Sequence, residues 1–108
     1  MTKQINLNEA LKLYGLLRPY FPVVSGDVQD VFEFSKQILE NIRSSGNLWV
    51  YVEAVMLLTG FSLDELKISD EIDVFHAFAT SLLANQIFEL LHFCRELENA
   101  RPFNNRAR

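Results

Sequence analysis

Residues 27–46, DVQDVFEFSKQILENIRSSG, hold the most regular pattern in the chain, and their reading decides the fold. Val28, Val31, Phe32, Ser35, Ile38, Leu39 and Ile42 recur at i, i+3, i+4 and i+7, the spacing that lines up one face of an α-helix. Gln29, Asp30, Glu33, Lys36, Gln37, Glu40 and Arg43 occupy the other face. There Glu33 with Gln37, and Lys36 with Glu40, stand four apart, where helical side chains meet. Ser25–Gly26–Asp27 offers a turn and cap before the helix, and Gly46 the left-handed residue after it.

The same signals extend in both directions. Towards the N-terminus, Asn6 and Glu9 stand three apart as in a capping box and predict a helix over Leu7–Arg18. Its expected buried face is Leu7, Ala10, Leu11, Tyr14 and Leu17, with Leu13 and Leu16 off that face. Pro19 and Pro22 end it, because each lacks an amide donor and disfavours helix before it. Towards the C-terminus, Asn47 caps LWVYVEAVMLLTG. Val50, Val52 and Val55 would also suit a buried strand, but the segment lacks two-residue alternation and ends at Gly60. A buried central helix is the expectation. Ser62 with Glu65 opens a short helix over Leu63–Lys67, and Ser69–Asp70–Glu71 caps a long helical segment, about Glu71 to Glu98.

That long segment changes phase. Ile72, Phe75, Phe78, Ala79 and Leu82 form one stripe, and Leu83, Ile87, Leu90, Cys94 and Leu97 a second, turned by roughly a quarter circle. Either the helix breaks near Asn85–Gln86 or one helix buries two faces. The fold class expected is all-α, a compact orthogonal helical domain of about five helices spanning residues 1–100, with 101–108 as a basic frayed tail.

The chain has 108 residues, room for one domain. Its 49% apolar fraction excludes wholesale disorder, and four Gly with three Pro argue against a turn-rich β fold. Charge is uneven: residues 1–18 carry +2, residues 19–100 carry −9 and the tail +3, for a net −4. So acidic a chain is not drawn to phosphate backbones or anionic lipid, and neither nucleic acid nor membrane is an expected partner. Glu53 and Glu89 interrupt the richest apolar stretches before either reaches the length of a membrane span. The opening MTKQINLNEALK carries no secretory signal pattern, and a single Cys fits a reducing, cytoplasmic setting.

Catalytic and metal chemistry find little to work with. His76 and His92, 16 residues apart, fall on nearly opposite faces of one continuous helix, and His92 and Cys94 also diverge. Cys94 lies on an apolar stripe and reads as a small buried hydrophobe. The acids Asp64, Glu65, Asp70, Glu71 and Asp73 could bind a cation, but the preference of helix N-termini for negative charge accounts for them. No cofactor, metal or catalytic residue is assigned, and the chain is not expected to be an enzyme. What is left over is apolar surface: Phe88, Leu91 and Phe93 lie outside the core stripes and are the expected partner-binding residues. Such a surface suits an amphipathic helix from another chain, or self-association. Substitution of Phe88 or Phe93 is expected to weaken capture without touching stability, whereas Phe32 and Ile38 are expected to be core.

The order of these features resembles a known family. LNEALKLYGLLRPYF (7–21), an acidic amphipathic helix, then LLTGFSLDELKISDEIDVFHAFATSLLANQIFELLHF (57–93) resembles the tail assembly chaperones of long-tailed bacteriophages and prophages. The resemblance spans about residues 5–97 and is strongest over LLTGFSLDELKISDEIDVF (57–75). It implies a small helical protein of the host cytoplasm that coats the tape-measure protein, keeps it soluble until tube subunits polymerise, and is absent from the mature virion. Many such chaperones also exist in a longer form, made by ribosomal frameshifting, whose extension recruits the tail tube protein. A helical head–tail connector and a cytoplasmic regulator that sequesters a partner are the alternative readings. The basic tail from Arg101 departs from the pattern.

Overall fold

A computed structural model describes residues 4–22 and 30–100. These form six helices: α1 (Leu7–Leu17), α2 (Val31–Ser45), α3 (Leu48–Thr59), α4 (Leu63–Lys67), α5 (Glu71–Ala84) and α6 (Ile87–Ala100). A 3-10 turn, Arg18–Tyr20, follows α1. Among the described residues there is no strand, so Leu48–Thr59 is helical as expected. The tail 101–108 lies outside the described residues.

The helix ends follow local chemistry. Asn6 and Glu9 cap each other's backbone N–H groups at 2.8 and 3.0 Å, and Ser62 and Glu65 repeat this at 3.2 and 2.8 Å. Gly46 and Gly60 close α2 and α3 at φ +81° and +80°, where a Cβ would be strained. Two expected caps differ. Asn47 leaves the first turn of α3 uncapped by its side chain and instead donates to the Tyr20 hydroxyl at 3.0 Å. The Ser69 hydroxyl donates back to the Glu65 carbonyl, finishing α4, while Asp70 holds the N-cap position of α5 without a side-chain bond. The cap of α2 is Asp30, which accepts from Phe32 and Glu33 N–H groups at 2.9 and 3.2 Å. The helix therefore starts at Val31, and the expected turn at Ser25–Asp27 lies outside the described residues.

One core unites α1, α2, α3, α5 and the start of α6, with α5 packed on α2 and α3, and α1 packed on α3 and α6. Leu13, Leu17, Phe34, Ile38, Ile42, Val55, Leu58, Phe78, Leu82 and Ile87 are buried in it. Two faces differ from expectation. In α1, Leu13 is fully buried while Leu7 and Leu11 are exposed, because α1 is held between α3 and α6 and its inner face turns by roughly 50°. In α2, Phe34 is 3% exposed and Phe32 43%. Phe32, expected in the stripe, lies at its exposed edge, and Phe34, at the opposite edge, packs between two other phenylalanines, Phe21 at 5.9 Å and Phe88 at 4.9 Å between ring centres. Among the described residues the ring that Phe32 meets is that of the exposed His76, 6.5 Å away.

The long final segment does break. α5 and α6 meet at 66° across Asn85 and Gln86, and Gln86 takes φ +50°. The side-chain carbonyl of Asn85 accepts from the Ile5 N–H at 3.0 Å, and its amide donates to the Ser81 carbonyl at 2.8 Å. Gln4 adds a bond to the Ala84 carbonyl at 3.3 Å. The elbow is therefore clamped by the segment entering α1. Phe78, Ala79 and Leu82 before the break, and Ile87 and Cys94 after it, are buried, while Ile72 and Leu83 are exposed. Among the described residues no single helix is long and apolar enough to cross a membrane.

Candidate functional site

The break in the last segment aims α6 across α2 and the chain that leaves α1. Phe88 and Leu91 come from α6, Phe34 from α2, and Phe21 and Pro22 from the chain beyond the 3-10 turn. Together they line an open cavity of about 330 Å³, with His92 and Arg95 at its edge. Three of its rings pack in series, Phe21 to Phe34 at 5.9 Å and Phe34 to Phe88 at 4.9 Å, and outside the lining Tyr14 extends the run to Phe21 at 6.0 Å. The far end of α6 is pinned to α1. Arg18 pairs with Glu98, the Tyr14 hydroxyl donates to Glu98 at 3.3 Å, and the Arg18 guanidinium lies 5.7 Å over the Tyr14 ring.

Of the three expected partner-binding residues, the structure brings Phe88 and Leu91 to this cavity and leaves Phe93 away from it. Phe93 is five residues beyond Phe88, about 140° around the helix, and is 48% exposed. Phe88 and Leu91 also pack against the core, so replacing Phe88 is now expected to cost stability as well as capture. Sequence reasoning missed Phe21, Pro22 and Phe34, since no local pattern marks a residue whose role comes from a ring donated by another helix.

The candidate chemical groups stand apart. His76 is on α5 beside Phe32, and His92 is on α6, 3.9 Å from Glu96. Cys94 is buried with its Sγ 3.9 Å from the Ala10 carbonyl, and burial pushes its thiol pKa up, away from the reactive thiolate. Among the described residues no three His, Cys, Asp or Glu side chains are grouped to hold a metal ion.

Tyr51 is the one buried side chain among the described residues whose polar atom has no hydrogen-bond partner. Its ring packs edge-on to Phe78 at 5.2 Å. Burial pushes its pKa up to about 12, with Arg43 lowering it and Glu71 raising it. A phenol that holds its proton more tightly when folded loses stability as pH rises from its ordinary value near 10 towards 12. Tyr51→Phe removes both penalties. It is expected to raise stability by about 1 kcal/mol at neutral pH and to flatten the fall above pH ~10, as read by urea unfolding across pH. A loss of stability on substitution would show that the hydroxyl has a partner.

Comparison of the chain with protein-family models, characterised proteins and solved structures finds no match.

Proposed function

We propose that this chain is a tail assembly chaperone of the kind its sequence resembles. It binds helical segments of a tape-measure protein in the host cytoplasm and holds them soluble until tail-tube subunits assemble around them. The observation that carries this reading is the open cavity on a helical frame where Phe21, Phe34, Phe88 and Leu91 meet, with His92 and Arg95 at its edge. An amphipathic helix offers apolar side chains at i, i+3 or i+4, and i+7, and an aromatic-lined groove between helices receives that pattern. Eleven large apolar side chains are exposed among the described residues, Trp49, Ile68, Ile72 and Phe93 among them. Surface of that kind supports work on other chains. The acidic balance keeps a protein with so much exposed apolar surface in solution.

A chaperone leaves before the particle is complete, whereas a connector stays. Purified particles from the phage or prophage encoding the chain are expected to lack it by mass spectrometry, while lysates of assembling cells contain it bound to the tape-measure chain. A fixed number of copies in every finished particle would make it a structural component.

A further inference from the structure

A second surface, remote in sequence from the groove residues, lies where α4 turns into α5. Phe61, Glu65, Ile68, Ser69, Asp70 and Asp73 line a shallow cavity of about 400 Å³. Ile68 is 87% exposed, the most exposed large apolar side chain among the described residues, and Ile72, four residues on and outside the cavity lining, is 64% exposed. Three carboxylates, Glu65, Asp70 and Asp73, share the cavity with Phe61 and Ile68, and among the described residues no ion pair reaches them. Nearby Glu71 is matched by Arg43 at 3.2 Å, and Lys67 is the one cation on α4. Helix N-termini explain why acids sit here, but not why isoleucines and a phenylalanine stand in water among them.

We infer that this corner docks a cationic amphipathic helix of another protein, whose apolar side chains cover Phe61, Ile68 and Ile72 while its Lys or Arg residues meet Glu65, Asp70 and Asp73. An apolar contact supplies most of the attraction, and the ring of carboxylates selects the sign of charge on the partner and speeds encounter. An anionic helix of the same apolar pattern meets like charge and is rejected.

The test uses the full chain and two synthetic 18-residue helices of identical leucine pattern, one with lysine and one with glutamate at every polar position. Titration by fluorescence anisotropy at low salt is expected to give the lysine helix at least ~10-fold tighter binding, an advantage that shrinks as salt screens the corner. Ile68→Ser with Ile72→Ser, and separately Asp70→Asn with Asp73→Asn, are each expected to weaken the lysine helix about tenfold. These side chains are exposed, and asparagine remains a good N-cap, so the variants keep the fold. Leu91→Ala, in the groove, is expected to change this binding less than about twofold. Equal binding of the two helices overturns the inference, as does binding that follows Leu91 and ignores the corner. Self-association of the chain that Ile68→Ser disperses assigns the corner to a second copy and overturns it too.

Discussion

Phe34→Ala is expected to destabilise the protein by about 3–5 kcal/mol, whereas Phe32→Ala, two positions earlier on the same helix, costs under about 1 kcal/mol. Phe34 is almost wholly buried between Phe21 and Phe88, and its loss leaves a cavity that two other rings cannot both fill. Phe32 is half in water already. For a domain of this size each kcal/mol moves the thermal midpoint by about 4–8 °C, so Phe34→Ala falls by well over ~10 °C while Phe32→Ala hardly moves. Circular dichroism melts of the two variants decide it. Similar losses in both would contradict the burial pattern of α2. Phe88→Ala falls between them, at about 1–2 kcal/mol, because its ring is half-buried against Phe34.

Asn85→Ala is expected to cost about 1–3 kcal/mol, a large effect for a residue outside the apolar core. Its side chain serves the Ile5 N–H and the Ser81 carbonyl together; alanine leaves the part-buried Ile5 N–H to find another partner, and the Ser81 carbonyl keeps the backbone N–H of residue 85 at 3.0 Å. The loss also loosens the join between the entry to α1 and the elbow, which sets the direction of α6 and hence the groove. Gln86→Gly is the informative control. At φ +50° glycine escapes the Cβ crowding that glutamine bears, so this variant is expected to melt at or above the wild type. Urea unfolding of both variants checks the pair. An unchanged midpoint for Asn85→Ala would mean that the clamp contributes nothing.

What was legible in the sequence is what depends on near neighbours. The reciprocal caps Asn6/Glu9 and Ser62/Glu65, the glycines at 46 and 60, and the break at Asn85–Gln86 all follow from residues within a few positions of each other. The phase change between stripes left two readings open, a break near Asn85–Gln86 or one helix buried on two faces, and the structure has the break. The inner faces of α1 and α2 were less legible. Leu13 displaces Leu7 and Leu11, and Phe34 displaces Phe32, only once α3, α6 and the Phe21 ring are in place. The groove shows the same division. Phe88 and Leu91 stood out as apolar surplus on α6, but Phe21 and Pro22 read as the end of a helix, and Phe93 looked equivalent to Phe88 until the helix was set down on its neighbours.

The most direct measurement is the fraction of the tape-measure chain recovered in the soluble fraction when it is co-expressed with this protein. Three cultures suffice: tape-measure chain alone, with the wild type, and with Leu91→Asp, which places a charge in the groove wall and whose folding is checked by its CD melt. The tape-measure chain is expected to be insoluble alone, soluble and co-purifying with the wild type, and insoluble again with folded Leu91→Asp. The same insoluble fraction with and without the wild type would contradict the chaperone reading, and equal rescue by folded Leu91→Asp would contradict the groove.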